Sequence, residues 1–281
     1  MHDNRMTTET LNIDKGQCLT DVLPAIPTNT IFDKTITGCG ATHSEIVNAA
    51  RHSIIIEPNI PVILGKKADH PFLFAVYEGI TKEDVKAYLA GEHDGYRKII
   101  TTPEGFDKKV LPAMHELEIP VYKDYFLLFD ECEKAIQDVG YRGDIYLPVE
   151  DFFKFENKAM VSATPIIPSD PRFEENGFRI LKLVPTYDSR IELTLCMTNN
   201  TVAVMRKLLK RLENETVCVF LNSTETILSL IYALRLQGRS RVFCSEKSVR
   251  KLKQMNFTDA SETLDELAPV NFLTSRFYAA V

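Results

Sequence analysis

The chain has 281 residues, of which 44% are apolar and 26% charged, and its formal net charge is −6. This is the composition of a globular protein with enough chain for one large or two medium domains. No apolar run can span a bilayer and no hydrophobic leader core follows Met1, so we expect a cytoplasmic protein without a membrane partner. The negative charge excludes a global attraction for nucleic acid, so any such contact needs a local basic surface.

Apolar runs and helical spacings alternate along the chain. The predicted strands are Lys34–Gly38, His52–Pro58, Pro71–Gly79, Tyr96–Pro103, Tyr125–Glu131, Lys158–Pro165, Arg179–Val184, Val217–Leu221, Arg241–Cys244 and Val270–Thr274. The predicted helices are Cys18–Leu23, Ser44–Ala50, Thr81–Ala90, Asp107–Leu117, Cys132–Val139, Val202–Leu212, Thr224–Leu236 and Lys247–Lys253. Strands alternating with helices over short loops predict an α/β fold with parallel sheets covered on both faces.

A proline-rich break divides this pattern. Pro165, Pro168 and Pro171, with Ser169-Asp170 between them, are typical of a linker. We therefore predict a first domain over residues 1–168 and a second over residues 169–281.

The six cysteines are scattered, and no two form a C-x-x-C pair. Most of them lie in or beside apolar runs. This predicts buried free thiols instead of disulfides or a zinc site.

The stretch Thr35-Ile-Thr-Gly-Cys-Gly-Ala-Thr42 is a glycine-rich turn that leads into a helix. Gly38 and Gly40 allow a backbone geometry and a close approach that a Cβ would block. The free N–H groups of the helix then suit an anion such as a phosphate. Thr42 supplies the hydroxyl of a phosphate loop, but Ala41 stands where the loop normally has its lysine. By itself the stretch is also compatible with an ordinary strand-to-helix turn.

Two carboxylates, Asp130 and Glu131, follow the most apolar predicted strand. One carboxylate at such a strand end can hold Mg²⁺ through water, and a second can orient or deprotonate an attacking water. The alternative is an acidic pair that favours the N-terminus of the next helix.

Other polar groups also follow predicted strands, at Glu57-Pro58, Thr101–Glu104 and Ser162–Thr164. Ligands of parallel sheets bind at this edge.

With these residues in order, the chain resembles a superfamily 2 helicase of the DEAD/DEAH type. Residues 35–42 are similar to the nucleotide loop A-x-T-G-x-G-K-T, and Asp130-Glu-Cys-Glu133 to the magnesium and water motif D-E-x-H/D. In the first domain, Ile54–Pro58 resembles the strand-Pro motif, Thr101–Gly105 the T-P-G motif and Ser162-Ala-Thr164 the S-A-T motif. In the second domain, Val217–Asn222 resembles the opening strand and Phe272–Ser275 a later nucleic-acid motif.

The resemblance implies two RecA-like domains of the P-loop NTPase type with a nucleotide cleft between them. It implies ATP and Mg²⁺ as cofactors. The implied partner is single-stranded nucleic acid, with DNA favoured over RNA. Thr37, Gly38, Cys39, Gly40, Ala41 and Thr42 would bind the nucleotide, Thr42 and Asp130 the metal, and Glu131 would position water. Nucleic-acid contact or coupling would come from Pro58, Thr102, Pro103, Ser162, Thr164, Asn222 and Thr274.

Several departures separate this chain from the resemblance. The lysine of the loop is replaced by Ala41, although Lys34 lies upstream and could reach back. Position 133 is Glu instead of His or Asp, and no glutamine motif precedes the loop. The chain stops before the arginine motif that offsets γ-phosphate charge, so we expect a truncated second domain.

Two other functions remain open. One is a non-catalytic helicase-fold scaffold that binds nucleic acid or a protein partner in replication or DNA transfer. The other is an unrelated α/β enzyme such as a nucleotide-using transferase, for which we expect one continuous sheet instead of two.

Overall fold

The structure is a computed structural model that describes residues 6–133, 147–165, 168–190 and 192–277. The chain divides into two compact units, Met1–Arg190 and Ile191–Val281. Each unit is built on its own parallel sheet. The predicted α/β class with two parallel sheets is confirmed: the described residues form two sheets and not the single continuous sheet of the transferase alternative.

The described residues of the first unit form an eight-stranded sheet in the order β1-β8-β2-β7-β6-β3-β5-β4. Its strands are β1 (Thr8–Ile13), β2 (Thr30–Asp33), β3 (His52–Ile56), β4 (Phe74–Val76), β5 (Lys98–Thr101), β6 (Tyr125–Phe129), β7 (Asn157–Ser162) and β8 (Arg179–Pro185). All neighbouring strands are parallel, so their carboxyl ends meet along one edge.

Helices connect these strands. They are α1 (Leu19–Val22), α2 (Ala41–Val47), α3 (Ile60–Asp69), α4 (Lys82–Ala90), α5 (Pro103–Gly105), a π-helical turn (Phe106–Val110), α6 (Leu111–Glu116), α7 (Val121–Asp124), α8 (Leu147–Phe152) and α9 (Pro171–Glu175). In the described ranges, no helix combines the length and the apolar character that a membrane crossing requires.

The core of the first unit lies on both faces of the sheet. Along β6, Tyr125, Leu127 and Phe129 belong to one hydrophobic cluster, whereas Phe126 and Leu128 belong to the other. Strand side chains alternate between faces, so a strand covered on both sides reads as an unbroken apolar run. This explains why the sequence pattern identified β6 correctly.

Residues 192–277 of the second unit form a four-stranded parallel sheet in the order β11-β10-β12-β9. Its elements are α10 (Thr201–Arg211), β9 (Val217–Phe220), α11 (Thr224–Leu234), β10 (Ser240–Phe243), α12 (Glu246–Gln254), β11 (Ala260–Ser261), β12 (Val270–Leu273) and a 3₁₀ turn (Ser275–Phe277). A separate hydrophobic cluster, which includes Ile231, Leu252 and Phe272, forms its core.

Two sequence-based expectations are corrected here. The strand predicted at Lys34–Gly38 is instead β2, which ends at Asp33, because Thr35 has a positive φ of 54° that breaks the extended backbone. The strand predicted at Arg179–Val184 in the second domain is β8 (Arg179–Pro185), which lies inside the first sheet between β1 and β2. The proline-rich stretch is therefore not a boundary between sheets: Asp170 caps α9, and the chain divides into its two units after Arg190.

Strand β1 and helix α3 have no counterpart in the predicted elements. Of the helix predicted at Cys132–Val139, residues 134–139 lie outside the described residues. The cysteine prediction is confirmed for the free, buried thiols of Cys39, Cys132 and Cys244, whereas Cys18 and Cys196 are exposed.

Candidate nucleotide site

The glycine-rich loop joins β2 to α2 at the carboxyl edge of the first sheet. Gly40 caps α2 with φ 86°, and Gly38 has φ 74°. A Cβ at either position would meet no protein atom within 4 Å, so the glycines are needed for the left-handed backbone and not for space. The backbone N–H of Leu19 donates to the carbonyl of Cys39 at 2.8 Å, so α1 holds the loop in place.

Four side chains from three parts of the first unit meet beside this loop. The hydroxyl of Thr42 donates to Oδ2 of Asp130. Lys34 Nζ lies 3.3 Å from Oδ1 of Asp130 and 3.4 Å from Oε1 of Glu131. We call Lys34, Thr42, Asp130 and Glu131 the carboxylate cluster. The sequence correctly placed Thr42 and the two acidic residues at one edge.

Burial and charge act in opposite directions on Lys34, whose side chain is only 11% exposed. Burial alone lowers its pKa, but the negative charges of Asp130 and Glu131 outweigh burial and raise the pKa above its ordinary value. The ammonium is therefore firmly charged near neutral pH. Asp130 is 2% exposed, so its carboxylate depends on Lys34 and Thr42 for compensation inside the protein.

Hydrogen bonds fix the backbone at Asp130, and the backbone of the next residue, Glu131, is strained. The Asp130 N–H donates to the carbonyl of Ile56 at 2.9 Å, and the Glu131 N–H donates to Oδ1 of Asp130 at 2.9 Å. Glu131 has a positive φ of 51°, a conformation that costs a non-glycine residue about 1 kcal/mol. Such strain is common at binding and catalytic sites, where it directs a side chain toward a ligand.

Cys39 and Cys132 are close to the cluster in sequence, but their chemistry does not contribute to it. Burial raises the pKa of both thiols. Neither is therefore a thiolate nucleophile near neutral pH.

The oxygen atoms of Thr42 and Asp130 are of the type that Mg²⁺ prefers. Among the described residues, no group of three or more His, Cys, Asp and Glu side chains is arranged to hold a metal ion. A metal at this edge must therefore take most of its ligands from water and from a bound phosphate, as Mg²⁺ commonly does with one or two protein carboxylates. The residues present fit such a site.

The end of β7 is joined directly to the start of the loop. The Lys34 N–H donates to the carbonyl of Ser162 at 2.9 Å. Ser162 is fully buried and its hydroxyl accepts from the Thr164 N–H at 2.9 Å, whereas the side chain of Thr164 is exposed. The Ser-Ala-Thr segment therefore lies beside the carboxylate cluster, as predicted from the strand ends.

Pro58, Thr102 and Pro103 lie farther along the same edge, after β3 and β5. All three are buried. The hydroxyl of Thr102 accepts from the Gly105 N–H at 3.0 Å and caps α5, in which Pro103 is the first residue. These side chains shape the turns, so contact with a ligand there would come from the backbone and from the half-buried neighbours Asn59 and Glu104.

Asn222 and Thr274 belong to the second unit, where they follow the neighbouring strands β9 and β12. Oδ1 of Asn222 accepts from the Ser275 hydroxyl at 2.9 Å, and the Thr274 hydroxyl donates to the carbonyl of Phe243 at 3.2 Å. The carboxyl ends of β9, β10 and β12 are thus linked by polar contacts. These residues form a second polar edge, which belongs to the sheet of the second unit.

A buried ionic network under α2 was not predicted. Glu45 on α2 is fully buried and pairs with Arg51, with the Ser53 hydroxyl and, at 3.6 Å, with Lys98 Nζ. The sequence offered no signal for it, because a glutamate in an amphipathic helix is usually exposed. The network anchors the helix that carries Thr42 to β3 and β5.

Comparison with known proteins shows similarity at the level of fold. No protein-family model matches the sequence, and no curated protein sequence matches it. The structure is similar to S. cerevisiae Dbp5 bound to RNA and ADP BeF3, with a TM-score of 0.55 and 13% identity over 89% of this chain and 66% of that chain. It is also similar to Mycobacterium smegmatis helicase Lhr bound to ssDNA and AMP-PNP, with a TM-score of 0.53 and 14% identity over 89% of this chain and 38% of that chain.

This chain therefore spans just under two thirds of the Dbp5 chain and less than half of the Lhr chain. At sequence identities this low, the structural similarity establishes the fold and not the activity. Both structures match 89% of this chain, so the match extends into both units with their parallel sheets. This agrees with the fold that the motif resemblance implies. The fold that this chain shares with these structures is the RecA-like fold.

Proposed function

We propose that this chain is a helicase-like nucleic-acid-binding module of the P-loop NTPase type that binds ATP at the glycine-rich loop. The single observation that carries the proposal is the contact of Thr42 with Asp130. A loop hydroxyl and a strand-end carboxylate, far apart in sequence, share one hydrogen bond where parallel sheets bind their ligands. Both groups have the chemistry that a Mg²⁺-nucleotide requires.

Each residue of the loop would have a distinct task. Gly38 and Gly40, with Thr37, Cys39 and Ala41 between and beside them, give the backbone the shape that encloses phosphates. Thr42 and Asp130 would hold Mg²⁺, whose charge offsets that of the phosphate oxygens when it is bound. Glu131, 20% exposed and held by Lys34, can orient a water or accept its proton.

The proposed partner is single-stranded nucleic acid, with DNA favoured over RNA. Dbp5 was solved with RNA and Lhr with ssDNA, which supports the general class of ligand. In this chain the contacts would come from the turns at Pro58 and Thr102-Pro103, from the segment of Ser162 and Thr164, and from Asn222 and Thr274 in the second unit.

A scaffold without ATP turnover is the second candidate, and Ala41 favours it. Alanine has no charged group, so position 41 supplies no charge to a phosphate. Its side chain is 3% exposed and packs in the core of the first unit. Such a scaffold would bind nucleic acid or a partner in replication or DNA transfer. It would show nucleic-acid binding without ATP hydrolysis.

Titration calorimetry of the full chain with Mg²⁺-ATP tests the proposal. Asp130→Asn preserves the size of the side chain and removes its charge, and we expect it to weaken ATP binding by about tenfold or more. Asp188→Asn is a matched control, since Asp188 is exposed and pairs only with Arg190 among the described residues.

Equal affinity of the wild-type and Asp130→Asn chains would contradict the assignment of the site. So would a wild-type chain that binds no ATP. Fluorescence anisotropy with labelled single-stranded DNA and RNA of the same sequence then tests the partner. ATP hydrolysis in the presence of DNA separates the enzyme from the scaffold.

A further inference from the structure

We propose that Lys34 is the phosphate-binding lysine of this site, supplied from the end of β2 instead of the start of α2. The inference rests on the proposed function. Phosphate loops normally place this lysine directly before the threonine that binds the metal. Here that position is Ala41, and the nearest ammonium in the carboxylate cluster comes from eight residues before Thr42.

The position of Lys34 Nζ supports this assignment. It lies 3.3 Å from one oxygen of the Asp130 carboxylate, and the Thr42 hydroxyl donates to the other oxygen of the same group. Lys34 and Thr42 are therefore brought together on one carboxylate, as the adjacent lysine and threonine of an ordinary phosphate loop are brought together by sequence.

The backbone of Lys34 is fixed, so the ammonium is presented from a rigid base. Its N–H donates to the carbonyl of Ser162 at 2.9 Å, which continues the pairing of β2 with β7. Thr35 then turns the chain away with its positive φ. Because the strand ends at Asp33, the Lys34 side chain begins at the edge where ligands bind.

The ammonium also has a hydrogen-bond donor available. A lysine has three N–H donors. Within the described part of the chain, Lys34 Nζ pairs with Asp130 and Glu131, which uses two of them. The third can reach an anionic oxygen, and the charge of Lys34 offsets the repulsion that two carboxylates would exert on a polyphosphate.

Position 41 is unsuited to the same task while Lys34 is present. The Ala41 side chain is buried in the core cluster that also contains Cys39 and Ile46. A lysine there would leave apolar packing and bring a second ammonium toward carboxylates that Lys34 already neutralises. The absence of lysine at position 41 and the presence of Lys34 in the cluster are thus explained together.

Calorimetric titrations of the full chain with ATP, ADP and adenosine test the inference. We expect Lys34→Met to weaken binding of ATP by about tenfold or more, while binding of adenosine is unchanged because it has no phosphate. Lys34→Gln keeps hydrogen bonds to the carboxylates without the charge, and it is used if Lys34→Met does not fold. Lys154→Met, at an exposed lysine paired with Asp151, is the matched control.

A double variant gives the sharpest result. Lys34→Met with Ala41→Lys moves the ammonium to the usual position, and we expect it to recover at least part of the ATP affinity that Lys34→Met loses. A folded Lys34→Met or Lys34→Gln chain that binds ATP as tightly as the wild type would overturn the inference. If Asp130→Asn still weakens binding in that case, the proposed function stands without Lys34; if the wild type binds no ATP, both fail.

Discussion

Gly105 shows at the residue scale how a motif glycine can be required by space alone. It lies in α5 with a negative φ, so its backbone suits any residue. A Cβ there would lie 2.5 Å from the Thr101 hydroxyl oxygen and 3.2 Å from both the Thr102 hydroxyl oxygen and the carbonyl of Val76. The glycine lets α5 start tightly against the ends of β4 and β5.

We predict that Gly105→Ala destabilises the first unit by about 1–3 kcal/mol, because the methyl group forces backbone shifts in a packed region. Urea-induced unfolding followed by circular dichroism measures the change. Gly65→Ala is the control: Gly65 lies in α3 with no atom within 4 Å of the added carbon, and helix propensity predicts a gain of up to about 1 kcal/mol. Equal effects of the two substitutions would show that space at Gly105 is not limiting.

Much of the carboxylate cluster is predictable from residues that follow apolar strands. Thr42, Asp130 and Glu131 were placed at one edge because parallel strands align their carboxyl ends. The sequence allowed Lys34 to reach back toward the loop, but its contacts with Asp130 and Glu131 were not predictable, since they depend on β2 ending at Asp33 and not continuing to Gly38. A shift of a few residues in one strand end decides whether a lysine is part of a strand or part of a site.

At the scale of elements, the buried network holds α2 against the sheet and makes stability depend on pH. Lys98 is 3% exposed, and burial lowers its pKa to about 8 against the opposing charge of Glu45. An unfolded lysine titrates near 10.4. Between about pH 8 and 10.4 the unfolded chain therefore binds more protons at Lys98 than the folded chain, so this group makes stability rise with pH.

Comparison with Lys98→Met isolates that contribution. We predict that the unfolding free energy of the wild type, relative to the variant, increases by about 1–3 kcal/mol from pH 7.5 to pH 10, since other groups titrate alike in both chains. Urea unfolding across this pH range measures the difference, with Lys154→Met as the surface control. A difference that does not change with pH would contradict a lowered pKa for Lys98.

Whether an element could be predicted depended on how its residues are buried. Strand β6 is apolar on both faces and was found from sequence. Strand β1 is exposed over Thr8–Thr10, and among the described strands its one partner is β8, about 170 residues later, so neither its composition nor any local contact identifies it. Pairing across the sheet, which no single-sequence pattern contains, also decided that β8 belongs to the first unit.

At the scale of the whole molecule, each unit has its own sheet and its own hydrophobic clusters. The prolines near residue 168 suggested a boundary because they interrupt the helix and strand patterns. In the structure one of them, Pro171, begins α9, whose Phe173 packs in the first core together with Phe178. A proline-rich stretch can therefore mark a crossover inside a sheet, and only the position of the next strand distinguishes the two cases.

We predict that a fragment of residues 1–190 folds and that a fragment of residues 1–168 does not. The shorter fragment lacks β8, which separates β1 from β2, and it lacks the buried side chains Phe173, Phe178, Leu181 and Leu183. Burial of each such side chain contributes about 1.5–3 kcal/mol, so the loss of about 6–12 kcal/mol equals most of the stability of a typical domain, about 5–15 kcal/mol. Thermal unfolding followed by circular dichroism should be cooperative for residues 1–190 and absent or broad for residues 1–168. Cooperative unfolding of both fragments at the same temperature would mean that β8 is dispensable and that the first unit ends where the prolines begin.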